Sequence, residues 1–296
     1  NYDYDNKYLL SLSIRRDESS KFHKDNRVGY FPSVSAGWNV HQEKWFQNPV
    51  MSKLKIRASY GELGANFLNP YNFDAIAYGP IPYTVGGERY VTGRAAYLKS
   101  KDLKWETAKT TDIGIELGFF NNDLTLSLDY FVKKNVDLLA QIDLNLSSGQ
   151  IFEINSSREK PYVNTASVKN TGWEFMMNYR KQLTKDFHID ATFNIATLKN
   201  KVLSLGENVQ PITSGAMSSY FNDAASITMP GEAIGSFYGY KIDGFDAEGN
   251  FIFADTDKNG VVNANDKVIL GSPIPDFTYG LNINMEYKDF DLTVFF

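Results

Sequence analysis

Between Phe277 and Tyr287 every second residue is apolar: Phe277, Tyr279, Leu281, Ile283, Met285 and Tyr287, separated by Thr278, Gly280, Asn282, Asn284 and Glu286. Lys288 and Asp289 interrupt the pattern, which restarts at Phe290, Leu292, Val294 and Phe296. A period of two places successive side chains on opposite faces of a strand, so the segment reads as a hairpin with one apolar and one polar face. A tilted strand needs about 9–11 residues to cross a bilayer, and 277–287 is long enough. The two-residue break fits a tight turn, although Lys-Asp is a weaker turn pair than Asn-Gly. A soluble sandwich can also contain one such hairpin. Recurrence of the pattern along the chain favours a membrane barrel.

It recurs at Tyr8–Ile14, Pro32–Val40, Leu54–Gly61, Thr110–Phe119, Leu124–Val132, Val168–Tyr179 and Phe187–Ala196, with Phe277–Tyr287 and Phe290–Phe296 completing the set. The connections alternate in length. Residues 15–31, 62–109, 133–167 and 197–276 are the longer ones, and 41–53, 120–123, 180–186 and 288–289 the shorter. Short turns at one end and long loops at the other characterise outer-membrane barrels. A Greek-key sandwich has no reason to keep that parity. Asn121-Asn122-Asp123 suits a turn, since Asn and Asp tolerate the left-handed conformation. Phe119, Phe120, Tyr179, Phe187, Tyr287, Phe290, Phe295 and Phe296 are read as an interfacial girdle beside the short turns. The fold expected is all-β: part of a large transmembrane antiparallel up-and-down β-barrel with long extracellular loops. Nine strands is an odd number, and a strand pattern lies close to each end of the chain. Residues 1–296 are therefore expected to be an internal piece of a longer polypeptide.

Composition narrows the function. The net charge of −5 argues against general nucleic-acid affinity. The chain has no cysteine, which removes disulfides and thiol catalysis, and His23, His41 and His188 lack zinc spacing. No apolar run is long enough for a transmembrane helix. Aromatic residues make up 15% at a mean hydropathy of −0.34, as expected for apolar residues spread over alternating strands.

The clearest polar constellation is Asp255-Thr-Asp257-Lys-Asn259-Gly260-Val261-Val262-Asn263-Ala-Asn-Asp266. Its spacing follows a calcium loop, with Asp255, Asp257 and Asn259 as oxygen ligands and Gly260 at the sharp turn. The Val261 carbonyl, Asn263 and Asp266 would complete the set. Val262 is expected to pack inward, and Phe251–Phe253 and Val268–Leu270 flank the loop as strands. An Asp/Asn/Gly turn that binds nothing has the same composition. Tyr71, Phe73, Tyr78, Tyr83, Tyr90 and Tyr97 offer ring faces for stacking on sugars, or simply pack a long loop. Asn282, Asn284, Glu286, Asp112 and Glu116 are placed on the polar, interior face. No nucleophile elbow, phosphate loop or zinc-protease motif is present, so no enzymatic activity is expected.

Several motifs occurring together in order resemble the SusC/RagA-type TonB-dependent transporters of Bacteroidetes outer membranes. They are Arg16–Phe22, Arg27–Trp38, Leu54–Gly61, Trp105-Glu106 with Thr110–Gly114, Phe119–Asn122, Leu128–Phe131, Gly235–Tyr240 and Gly271–Phe277. Glu18, Lys21 and Ala65 depart from the family pattern, all in expected loops. The resemblance implies a segment of a large plugged barrel, with the plug, the TonB-contacting region and the final strands lying outside this chain. It also implies outer-membrane nutrient import of an oligosaccharide or peptide with a SusD-like surface lipoprotein lid, energised by TonB, and calcium as a structural ion in an external loop. The alternatives weighed are a soluble secreted calcium-stabilised carbohydrate-binding β-sandwich and a glycan-cleaving enzyme.

Overall fold

A computed structural model describes residues 1–69, 77–95, 100–141, 162–206, 209–216 and 224–296, with backbone only at 77–81, 83, 92–95, 141 and 216. Its strands, in chain order, begin with β1 (Tyr2–Tyr4), β2 (Tyr8–Glu18), β3 (Val28–Asn39) and β4 (Met51–Ala65). A hairpin follows, β5 (Ala77–Val85) and β6 (Glu88–Ala95), then β7 (Glu106–Phe119), β8 (Leu124–Gln141), β9 (Tyr162–Thr184) and β10 (Phe187–Thr197). Shorter strands come next: β11 (Lys199–Ser204), β12 (Ile212–Ala216), β13 (Ala224–Thr228), β14 (Ser236–Tyr240), β15 (Ile242–Phe245), β16 (Phe251–Phe253) and β17 (Lys267–Gly271). β18 (Phe277–Tyr287) and β19 (Phe290–Phe295) end the series. Among the described residues there is no α-helix.

The strands with the period-two pattern form one antiparallel sheet of eleven, in the order β1-β2-β3-β4-β7-β8-β9-β10-β18-β19, with β11 added beside β9. The sheet is open at β1 and β19, so these residues form a wall and not a closed barrel. The strand ends that flank 5–7, 40–50, 120–123, 185–186 and 288–289 all lie at one end of the sheet, and those that flank 19–27, 66–105, 142–161 and 198–276 at the other. The tight turns therefore share one end of the sheet, but the first expected pair is reversed: pairing extends β2 and β3 so that 19–27 is shorter than 40–50.

Register makes each face continuous. Ile56 opposes Ile115, Ile115 opposes Leu128, Leu128 opposes Phe175, and Phe175 opposes Ile195. Phe193 opposes Leu281 in the same way. Among the described residues no second sheet covers this apolar face; Leu12 is 67% exposed, Ile14 71% and Ile113 55%. A sandwich would bury such a face, so that alternative has no geometry here. Two small clusters of buried apolar residues lie at the long-loop end. One is Phe22, Leu68 and Leu103 with Trp105, Leu139 and Tyr162; the other is Ala166, Val168, Val202 and Leu205. Gly64 lets the Phe31 ring cross β4, since a Cβ there would overlap the ring.

All nine expected strands are present, but several boundaries move. β8 and β9 run well past the apolar repeat into the long-loop end, because backbone pairing continues where side chains stop alternating. Val40 leaves β3 for a 3-10 turn, Val40–Gln42, where it is buried and the neighbouring His41 ring nitrogen meets the Leu54 carbonyl at 3.0 Å. β1 and β11 are additional strands. Phe295 and Phe296 lie far along β19 from the 288–289 turn and do not belong to the girdle. Asn121 and Asn122 adopt positive φ (58° and 68°) as their type allows, and Phe120 and Lys288 do so as well (54° and 52°).

Candidate functional site

The interior face is built by the other phase of the same strands. Arg57 on β4 lies 2.9 Å from Asp112, 3.3 Å from Glu116 and 2.6 Å from Asp129, on β7 and β8. Lys53 reaches Glu116 at 2.7 Å and Lys55 at 3.9 Å. The set holds three cations and three carboxylates, so it adds no net charge to the wall. Asp129 is only 7% exposed, and burying a carboxylate is costly unless it is paired as it is here. Gly114 makes room: a Cβ there would overlap the Asp129 carboxylate. Asp112 and Glu116 were legible as interior polar positions; Arg57 and Asp129 were not singled out. Their signal is a charged residue in the polar phase of an apolar strand.

Further round the wall the interior face is amide and hydroxyl. Thr192 donates to Asn178 at 2.9 Å, Thr293 to Asn284 at 2.9 Å, and Asn200 to Asn170 at 2.7 Å. Ser11, Ser35 and Ser59 line up across β2, β3 and β4 and end at Asp112. Such a surface hydrogen-bonds polar solutes or protein without selecting for charge.

The Asp-rich loop joins β16 to β17, so both flanks are strands as the spacing indicated. Asp255 accepts from the Asn259 N–H at 3.1 Å and the Gly260 N–H at 2.6 Å, and Gly260 takes φ +86°. Asp257 accepts from the Asn259 N–H and side-chain amide at 3.1 and 2.9 Å. Asn259 accepts from the Val261 N–H at 2.8 Å, and Asn263 donates to the Val261 carbonyl at 3.1 Å. Asp266 accepts from the N–H groups of Thr256, Asp257 and Asn263 and from the Thr256 hydroxyl. Those four donors match the acceptor capacity of one carboxylate, so Asp266 organises the loop before it could ligate anything. The Asn263 N–H, joined by those of Asp257 and Thr256, holds its pKa below the usual value, with desolvation working against the shift. Asp266 is sealed by the loop's own backbone and not by a hydrophobic core. Carboxylate oxygens of Asp255, Asp257 and Asp266 fall within 4.8 Å of one another. Val262 is exposed, contrary to the inward packing expected, because the loop is held by hydrogen bonds and has no apolar centre.

Of the aromatic candidates, Tyr71, Phe73 and Tyr97 lie outside the described residues. Tyr78 and Tyr83 are on β5, with Tyr83 opposite Tyr90 on β6. Tyr90 is exposed, and its hydroxyl donates to Glu88 at 3.1 Å. A second aromatic group passed over in the sequence is the β15–β16 hairpin. There Phe245 and Phe251 stand 5.3 Å apart between ring centres, and Phe253 stands 5.5 Å from Tyr240 at the end of β14.

Comparison with known proteins accounts for this architecture. TonB-dependent receptor P3 of Formosa agariphila is 35% identical over 314 residues, and SusC of Bacteroides thetaiotaomicron is 32% identical over 316. The matches take in 100% and 99% of this chain and 30% of each relative, so the chain spans under a third of their length. The solved RagAB peptide importer in its 'open-open' state superposes with a TM-score of 0.80 at 22% identity, covering 99% of this chain and 31% of that one. The family model described as "TonB dependent receptor-like, beta-barrel" matches residues 1–296, and the chain belongs to that family.

Proposed function

We propose that the protein is an outer-membrane importer, and that these residues are part of its barrel wall and external loops. The observation that carries the reading is the two-faced sheet with all its turns of four residues or fewer (5–7, 120–123, 185–186 and 288–289) at one end. In lipid all backbone groups must be paired internally, which a closed barrel achieves, and its apolar face then meets acyl chains. The amide, hydroxyl and internally neutralised interior suits passage of a polar nutrient, an oligosaccharide or a peptide. A SusD-like surface lipoprotein acts as lid, and TonB supplies energy through a region outside these residues. SusC and a RagAB peptide importer among similar proteins support both assignments. Transport on this reading involves no covalent chemistry. Fractionation of native cells tests it. Recovery of the full-length protein from the outer membrane only in detergent, with heat-modifiable gel migration, is expected; recovery as a soluble protein would overturn the reading. Uptake of labelled oligosaccharide and peptide by cells with and without the gene then separates the two substrate classes.

Calcium at the Asp-rich loop is the second part of the proposal. Three carboxylates within 4.8 Å repel unless a cation lies among them. Asp255, Asp257, the Asn259 side chain, the Val261 carbonyl and Asn263 are the ligand candidates, with Asp266 fixing the loop. Chelation is expected to speed proteolysis within 255–266 and calcium to reverse it; a cleavage rate indifferent to both would remove calcium from the account.

A further inference from the structure

Four lysines stand side by side on the outward face. Lys109 opposes Lys134, Lys134 opposes Lys169, and Lys169 opposes Lys201, across β7, β8, β9 and β11. Lys199 is one step nearer the apolar band, opposite Thr171. Like charges placed directly opposite on neighbouring strands destabilise a sheet, so an uncompensated row of four needs a reason. Among the described residues only Lys109 of the row has a carboxylate partner, Glu62 at 3.2 Å, and Glu62 also accepts from Tyr60. Among the described residues Lys134, Lys169, Lys199 and Lys201 make no ion pair. Lysines often guard exposed strand edges against aggregation. That role fits Lys201 on β11 but not Lys109, Lys134 or Lys169, which lie on interior strands.

Position explains the row better. On β7, β8 and β9 the lysine stands four residues beyond an apolar or aromatic side chain of the same face: Ile113, Tyr130 and Trp173. Thr111, Val132 and Thr171 lie between, and the three oppose one another in register. Four residues of strand rise roughly 13 Å. The Tyr130 and Trp173 rings are 4.8 Å apart, the kind of amphipathic pair found at a membrane–water boundary. β8 and β9 thus pass from apolar, through Tyr or Trp, to lysine toward the long-loop end, and β7 passes from Ile113 through Thr111 to Lys109.

We infer that Lys109, Lys134, Lys169 and Lys201 form a cradle for phosphate-bearing lipid head groups of the outer leaflet, binding the barrel to anionic lipid at its outer rim. The inference rests on the reading of this sheet as a membrane wall. Lysine suits the task because it is a compact point charge on an apolar stem, which runs along the sheet while the ammonium reaches a phosphate.

The test uses full-length protein extracted from the outer membrane, in nanodiscs of phosphatidylcholine with or without phosphatidylglycerol. Native mass spectrometry counts the lipids retained on release. Wild type is expected to retain phosphatidylglycerol over phosphatidylcholine by at least about fivefold, falling with salt, since each near-surface lysine is worth about that factor. A Lys134→Gln, Lys169→Gln, Lys201→Gln triple variant should lose the preference, and the matching triple Arg variant should keep it. In phosphatidylcholine alone the Gln variant should melt no lower than wild type, because repulsion has been removed. Equal retention by wild type and the Gln variant overturns the assignment. So does stabilisation by inorganic phosphate equal to that by the lipid, which makes the row a soluble-anion site, or salt-sensitive binding of an acidic protein in place of lipid. Every variant must first be recovered from the outer membrane with heat-modifiable migration, so loss of lipid preference alone leaves the barrel reading intact.

Discussion

Arg57 has no meaning outside the sheet. In the chain it is the third cation after Lys53 and Lys55 at alternate positions; in the fold it meets carboxylates from three positions on two other strands. Gly114 belongs to the same arrangement, since it vacates the space the Asp129 carboxylate occupies. Gly114→Ala is therefore expected to push Asp129 off Arg57 and cost about 1–3 kcal/mol, the usual range for overpacking a tight site. The check is the unfolding midpoint of the refolded full-length barrel, and an unchanged midpoint would contradict this packing. Asp266 was readable as the twelfth position of a calcium loop, yet its partners were not, because four donors converge on it only once the loop closes. Its pKa is depressed, so the stabilisation is complete above the ordinary value of 3.8 and is lost as pH falls through the lower folded value. Residues 255–266 should resist proteolysis at neutral pH and open below about pH 4. Asp266→Asn should open them at every pH, because an amide nitrogen would face donors.

At the scale of the strand, neighbouring residues answer to different solvents. Phe193 opposes Leu281 on the outward face and packs against Phe175 at 6.3 Å; Asn194 opposes Gly280 on the interior face. Phe193→Lys should destabilise the barrel in lipid by at least about 2–4 kcal/mol, while Asn194→Lys should cost far less. Unfolding in lipid vesicles measures both, and equal costs would refute the assignment of faces. Strand existence was legible because one face repeats every two residues. Strand length was not. β9 runs on to Tyr162 through pairs such as Asn135 with Val168 and Leu139 with Asn164, where backbone bonds persist without apolar alternation. β11 was missed for the same reason: Lys199–Ser204 has little alternation, and it continues β10 along β9 in the same register, Ala196 opposite Glu174 and Lys199 opposite Thr171, after a break at Leu198.

For the molecule as a whole, loop length encodes direction. All the turns of four residues or fewer share an end with Asn121 and Asp289, and the strands flanking 198–276 end at the other. The chain lacks cysteine, so single introduced cysteines report cleanly. A cysteine at Glu248 should react with a membrane-impermeant maleimide in intact cells, and one at Asn121 only after the outer membrane is breached. Labelling in the reverse order would invert the topology and with it the outward lysine row's leaflet.

The amino-acid sequence alone determined that strands form, which residues share a face, and where the tight turns fall. These follow from local chemistry: side-chain alternation is a property of the single strand, and turn residues declare themselves within a few positions. Tertiary structure decided what pairing across strands creates. The Arg57 cluster, the space at Gly114, the lysine row and the buried Asp266 each depend on register. Register brings together residues far apart in the chain, such as Lys134 with Lys169, and only the folded sheet fixes it.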